Sequence, residues 1–137
     1  MGLDNGIYLK SNRRSVTRDM VPGAKFPFEK DYQEGAVELC YARKCWGLRD
    51  DLIDFVDWDE VSDNNCYFRI YSPSKIVRMI EIVASWMDAD KWEDEGQSIW
   101  TYDEYKGNLT NWIISLACAM NAMTLNPDFY LEFYDSY

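Results

Sequence analysis

The stretch CYFRIYSPSKIVRMIEIVASWMD, residues 66–88, decides the fold class. Cys66 to Tyr71 form a short aromatic and β-branched run, which predicts a strand. Ser72 then offers an N-cap. Pro73 follows at the position where a first helical residue has no obligatory N–H partner. Ile76, Met79, Ile80, Val83, Trp86 and Met87 recur at helical spacing and predict a helix over residues 73–88. A strand and an amphipathic helix therefore share one short segment, and the chain belongs to a mixed class.

Toward the C-terminus, DADKWEDEGQ (88–97) reads as an acidic turn and Ser98 to Trp100 as another short strand. Thr101 and Glu104 match a capping box. Leu109, Trp112, Ile113, Leu116, Met120 and Met123 give the helix body over residues 108–123, and Gly107 leaves its start open. Asn126-Pro127 stops it. Asp128 to Tyr134 alternates with aromatics and reads as a last strand.

Toward the N-terminus, Leu39, Cys45, Trp46, Leu48, Leu52, Ile53 and Val56 suit one face of a helix beginning near Ala36. Arg43, Lys44, Asp50, Asp51 and Asp54 take the opposite face. Gly47 would cost about 1 kcal/mol inside that helix, so a strand over Val37 to Cys40 followed by a helix is the alternative. DWDEVSDNN (57–65) ends the helix in an acidic loop. Residues 11–35 hold two prolines, two glycines and a basic cluster, and read as a loop-rich basic arm, a kind of segment that often carries function. Gly6 to Lys10 is the first strand. The expected architecture is α+β: about three helices packed on a small, mostly antiparallel sheet, as one domain over residues 1–137.

The composition supports a packed fold. The chain has 137 residues, 47% of them hydrophobic and 16% aromatic. That is too apolar for a disordered acidic chain. No apolar run approaches the ~18 residues of a membrane span. The N-terminal MGLDNGIYLK lacks the basic start and apolar stretch of a signal peptide, so a cytoplasmic location is expected. Cys40, Cys45, Cys66 and Cys118 form no C-x-x-C pair, which favours free thiols. Met79, Trp86, Met87, Trp112, Met120 and Met123 are expected in the core.

The charge is unevenly spread. Residues 1–49 carry nine Lys/Arg and six Asp/Glu, a balance of +3, whereas residues 50–137 carry five and eighteen, a balance of −13; the two sum to −10. Broad wrapping of nucleic acid is disfavoured by the acidic part. A surface built to meet a basic partner is one reading of the asymmetry, and solubility is the other.

Catalytic equipment is sparse. There is no histidine, no glycine-rich phosphate loop and no nucleophile elbow. No enzyme activity, cofactor or metal is therefore expected. The acidic loop Asp57 to Asp63 lacks the glycine and the third ligand position of a calcium loop. Two binding sets remain. Asp50, Asp51, Asp54, Asp57, Asp59, Glu60 and Asp63 form the candidate partner-binding surface, because rows of carboxylates can stand in for the phosphates that a basic protein groove recognises. Arg13, Arg14, Tyr41, Arg43, Lys44, Trp46 and Arg49 form the alternative: a basic-aromatic pocket for a nucleotide-type ligand, with guanidinium forks on phosphate and rings on the base. The same arginines could instead pair with the acidic half and close the fold. The many tyrosines and tryptophans would also serve a homodimer interface.

The opening Met1-Gly2-Leu3-Asp4, the segment Glu38-Leu39-Cys40-Tyr41-Ala42-Arg43-Lys44-Cys45-Trp46 and the ending Asp128-Phe129-Tyr130-Leu131-Glu132-Phe133-Tyr134 resemble a group of small uncharacterised proteins of bacteriophages and prophages. Those proteins carry a Tyr-Trp-Arg-Lys segment, and Ala42 stands here where they usually have Trp. The resemblance implies a phage-linked origin and a cytoplasmic site of action, and brings no activity with it. Together these features lead to the expectation of a non-enzymatic accessory, inhibitor or anti-defence protein that binds a host protein, with no direct nucleic-acid or membrane contact.

Overall fold

A computed structural model describes residues 4–31, 33–55, 60–61, 68–96 and 100–136. Among the described residues, five strands and three longer helices form an α+β fold: β1 (Asp4–Ser11), β2 (Val37–Arg43), α1 (Trp46–Phe55), β3 (Glu60–Val61), β4 (Phe68–Ile70), α2 (Lys75–Ser85), a short α3 (Ala89–Lys91), α4 (Tyr102–Leu125) and β5 (Phe129–Ser136). The strands make one sheet in the order β2-β1-β5-β4-β3, antiparallel at every described pairing.

The alternation of β1 and β5 sets the two faces. Ile7 and Leu9 lie opposite Phe133 and Leu131 and point into the core with Phe129, Phe68 and Ile70. The helices cover this face. Ile76, Met79, Ile82 and Val83 of α2 pack with Leu109, Trp112, Leu116 and Met123 of α4. Met87 and Met120, also expected inside, are partly buried against the same core. The outer face carries Tyr8, Lys10, Glu38, Tyr41, Arg69, Tyr130, Glu132 and Tyr134.

Residues 36–45 correct the helical reading and confirm its alternative. Val37–Arg43 is a strand paired with β1, and the helix starts only at Trp46. Lys44 makes the turn between them with φ 59°, the left-handed region that side chains with a Cβ rarely adopt. Cys45, Leu48 and Leu52 are buried as expected, while Trp46 is 40% exposed. Val56 lies outside the described residues.

Among its described residues, the arm after β1 is irregular apart from a 3-10 turn at Arg18–Met20. It is nevertheless fastened to the core. Val16 and Val21 are buried. Ser115 of α4 donates to the Lys25 carbonyl at 3.1 Å and accepts from the Lys25 N–H at 2.8 Å. Arg18 donates to the Phe28 carbonyl and to Asp31, whose carboxylate accepts the backbone N–H of Glu38.

Helix α2 begins at Lys75, two residues later than expected, with Ser74 rather than Ser72 at its N-cap. The segment expected as a plain acidic turn is α3 followed by a wide π-helical turn, Trp92–Gly96. Ser98 and Ile99 of the expected short strand lie outside the described residues, and Trp100 belongs to no strand. The capping box of α4 forms: Glu104 N donates to Thr101 Oγ1 at 3.1 Å and Thr101 N to Glu104 Oε1 at 2.9 Å.

Candidate functional site

Helices α2 and α4 run as a hairpin joined through residues 86–101. The Tyr105 hydroxyl donates to the Trp86 carbonyl at 2.7 Å, and Trp92 Nε1 donates to the Trp100 carbonyl at 2.8 Å. These bonds hold the C-terminal end of α2 beside the N-terminal end of α4. Helix α1 abuts the same end: Trp86 Nε1 donates to Asp51 Oδ2 at 2.7 Å, and the Trp86 ring lies directly over Gly47. A groove of about 250 Å³ between α1 and α2 is lined by Asp51, Arg78, Glu81, Ile82 and Ser85.

This end of the molecule is acidic. Residues 81–104 hold eight Asp/Glu and one cation, Lys91. Lys91 is occupied internally, donating to the Ser85 carbonyl at 2.9 Å over the Trp86 ring. Some of the carboxylates also have structural work. Asp88 caps α3 by accepting from Lys91 N at 2.8 Å. Glu104 belongs to the capping box, where the Thr101 backbone N–H and then its hydroxyl hold the carboxyl below its ordinary range. Asp54, Asp90, Glu93, Asp94 and Asp103 are exposed and have no partner among the described residues, and Glu81 has only a 3.4 Å contact from Arg78.

The predicted partner-binding residues are thus divided. Asp54 is exposed on α1 at this end. Asp50, on the same helix, accepts from Arg49 at 2.9 Å but keeps its carboxylate 58% exposed. Asp51 is largely taken by Trp86. Glu60 lies in β3 opposite Arg69 in the strand register. Asp57, Asp59 and Asp63 lie outside the described residues. Sequence reasoning gave no role to Glu81 or Asp103, and noted Asp88, Asp90, Glu93 and Asp94 as acidic without joining them to α1. Their charge was visible; their approach to α1 depends on Trp86 reaching Asp51.

The predicted basic-aromatic set does not converge. Arg13 and Arg14 follow the C-terminal end of β1, whereas Arg43 stands opposite Asp4 at its N-terminal end. Seven strand residues separate these ends, about 23 Å. Most of the cations have carboxylate partners. Arg14 donates to Asp128 at 3.0 Å and to Asn126 Oδ1 at 2.7 Å. Arg43 approaches Asp4 at 4.0 Å. Arg49 holds the buried Asp135 at 2.6 Å; burial works to lower its pKa, and the hydrogen bonds and charges of Asp50 and Asp135 together overcome this and raise it. Lys10 and Arg69 share Glu132 at 2.7 and 2.9 Å. The Tyr41 hydroxyl donates to Asp4 at 2.7 Å, and burial together with that bond pushes its pKa up to about 12. Arg14 and Arg49 therefore pair with the acidic part, at Asp128 just before β5 and at Asp135 within it, whereas Arg43 pairs inside the N-terminal part.

One further cluster lies on the outer sheet face. The Tyr134 hydroxyl donates to Glu38 Oε2 at 2.6 Å across Gly6. A Cβ on Gly6 would stand 2.5 Å from the Cys40 carbonyl and 2.7 Å from the Tyr134 ring, so the close crossing requires glycine. Burial raises the Glu38 pKa, the Tyr134 bond partly offsets this, and Asp31 adds to the rise.

No family model, curated protein or solved structure matches the chain. Among the described residues no group of three or more metal-ligating side chains gathers, and no helix is long and apolar enough to cross a membrane.

Proposed function

We propose that the protein is a non-enzymatic binding factor that docks a basic surface of a host protein onto the acidic end formed by α1, the end of α2, the α3 turn and the start of α4. One observation carries the reading: the cations of the N-terminal part are mostly consumed by internal pairs, while Asp54, Glu81, Asp90, Glu93, Asp94 and Asp103 project from one end with little or nothing to neutralise them. Unpaired like charge costs self-repulsion, so its concentration at one place favours a role in association. Such a surface speeds encounter with a basic groove and discriminates against acidic competitors. The resemblance to phage proteins makes an accessory or anti-defence role in the cytoplasm the natural setting, with a nuclease or polymerase groove as the kind of surface that carboxylates standing in for phosphates would fill.

The test compares the protein with a variant carrying Asp54→Asn, Glu81→Gln, Asp90→Asn and Asp94→Asn. Partners are captured from host lysate at low and high salt and the binding of the captured protein is then titrated with each form. The expected result is a partner released by salt, bound more weakly by the neutralised variant and with a flatter salt dependence. Equal affinity of both forms, at every salt concentration, refutes the acidic-end reading.

A further inference from the structure

At the far end of α4, about 35 Å from the acidic end by helix rise, the chain forms a second pocket. Its volume is about 230 Å³ and it is lined by Asn12, Arg13, Tyr71, Pro127 and Asp128. Three separate segments meet here: the exit from β1, the exit from β4 and the turn from α4 into β5. Among the described residues, the Arg13 guanidinium and the Asn12 amide have no side-chain partner. In a chain where Lys10, Arg14, Arg18, Arg43 and Arg49 all meet a carboxylate, an exposed Arg13 beside a concavity stands out.

The other walls complement it. The Tyr71 ring is 40% exposed and is braced from behind by the Tyr130 ring at 5.2 Å. It therefore presents a fixed aromatic surface. Asp128 is held by the Ser11 hydroxyl at 2.7 Å and by Arg14 at 3.0 Å. The Ser11 bond and then Arg14 keep its carboxyl below the ordinary range. It stays an acceptor, and Arg14 offsets its repulsion of an anion.

We propose that this pocket binds a mononucleotide. Arg13 would take the phosphate as a guanidinium fork, with the Asn12 amide as a further donor. The base would lie on Tyr71 against Pro127, and a ribose hydroxyl or base amine would donate to Asp128. A cation, a braced ring and an acceptor around one small concavity match the three chemistries of a nucleoside monophosphate. A bare anion would use only the first.

The experiment is calorimetric titration of the full chain with AMP, GMP, CMP and UMP, with inorganic phosphate and the nucleosides in parallel. At least one nucleotide is expected to bind with one-to-one stoichiometry, more tightly than phosphate or its own nucleoside. Arg13→Gln, at an exposed side chain, should weaken binding about tenfold or more while leaving the melting temperature unchanged. Tyr71→Leu should weaken it about tenfold through loss of stacking. Asp54→Asn, at the other end of the molecule, should leave it unchanged. The proposal is overturned if no nucleotide binds, if phosphate binds as well as the nucleotide, or if Arg13→Gln retains the affinity of the parent.

Discussion

Gly47→Ala should destabilise the protein, although helix propensity alone argues the opposite. Gly47 is the second residue of α1, and alanine in a helix is favoured over glycine by about 1 kcal/mol. The Trp86 ring decides the sign. A Cβ at position 47 would lie 2.0 Å from Trp86 Cη2 and 2.8 Å from its two neighbouring ring carbons. Ordinary carbon contact needs about 3.5 Å or more, so the ring must move by roughly 1.5 Å. Trp86 cannot do this in place, because Nε1 is tied to Asp51 at 2.7 Å and the ring is buried.

Overpacking of this kind costs about 1–3 kcal/mol. Loss of a hydrogen bond to a carboxylate adds about 1.5–3 kcal/mol where the bond breaks. Set against the helix gain, a net loss of about 2 kcal/mol is expected. With an unfolding entropy near 0.3 kcal/mol/K for a chain of this length, the melting temperature should fall by about 7 °C. Thermal denaturation followed by circular dichroism gives the shift, and tryptophan fluorescence shows whether Trp86 has moved. A melting temperature equal to or above that of the parent would refute the reasoning, and with it the close seating of α1 on α2 that defines the acidic end.

Three other perturbations test separate parts of the structure. Glu38→Gln should raise the melting temperature at pH 7, because burial lifts the Glu38 pKa and the fold therefore bears the cost of its charged form. A group raised in the fold gives stability below its unfolded pKa that is lost as pH rises through the folded value, so the difference between variant and parent should vanish toward pH 4; a difference that grows on acidification would contradict the assignment. Arg49→Met should cost about 3 kcal/mol or more in urea denaturation, since it strands the charge of the fully buried Asp135, and a loss below ~1 kcal/mol would mean that Asp135 finds another partner. Lys44→Gly should gain about 1 kcal/mol by relieving the left-handed backbone at φ 59°, and a loss would show that the lysine side chain matters more than the turn.

How far the fold can be read locally depends on whether local chemistry alone sets an element. Thr101 and Glu104 bond to each other within one turn, so the capping box of α4 was legible although Gly107 left the start of the helix open, and Asn126-Pro127 marks its end. The aromatic alternation of β5 likewise survives because its two faces differ. Residues 36–45 were misleading for the converse reason. The arm and the outer-face tyrosines cover Glu38, so Val37, Glu38, Leu39 and Cys40 are buried in succession and show no alternation. The register irregularity between Ile7 and Tyr8 further breaks the period. Leu39 then appears in phase with Leu48 and Leu52 although it belongs to the sheet.

The candidate sites show the same division at the level of charge. A sequence count gives a −13 segment and a +3 segment but not which charges are spent. Strand β5 and the residue just before it spend many of them: Asp128 meets Arg14, Glu132 meets Lys10 and Arg69, and Asp135 meets Arg49. Because β5 lies between β1 and β4, its carboxylates are within reach of cations from the sheet and from α1. The basic arm, which looked like the functional element, thus gives up Arg14 and Arg18 to closing the fold and keeps Arg13, Lys25 and Lys30 exposed. The same neutralisation removes cations that could have screened the helical carboxylates. Basic residues near the N-terminus and acidic residues beyond residue 50 are thereby resolved into an acidic end and, across the length of α4, an exposed Arg13 beside an exposed ring.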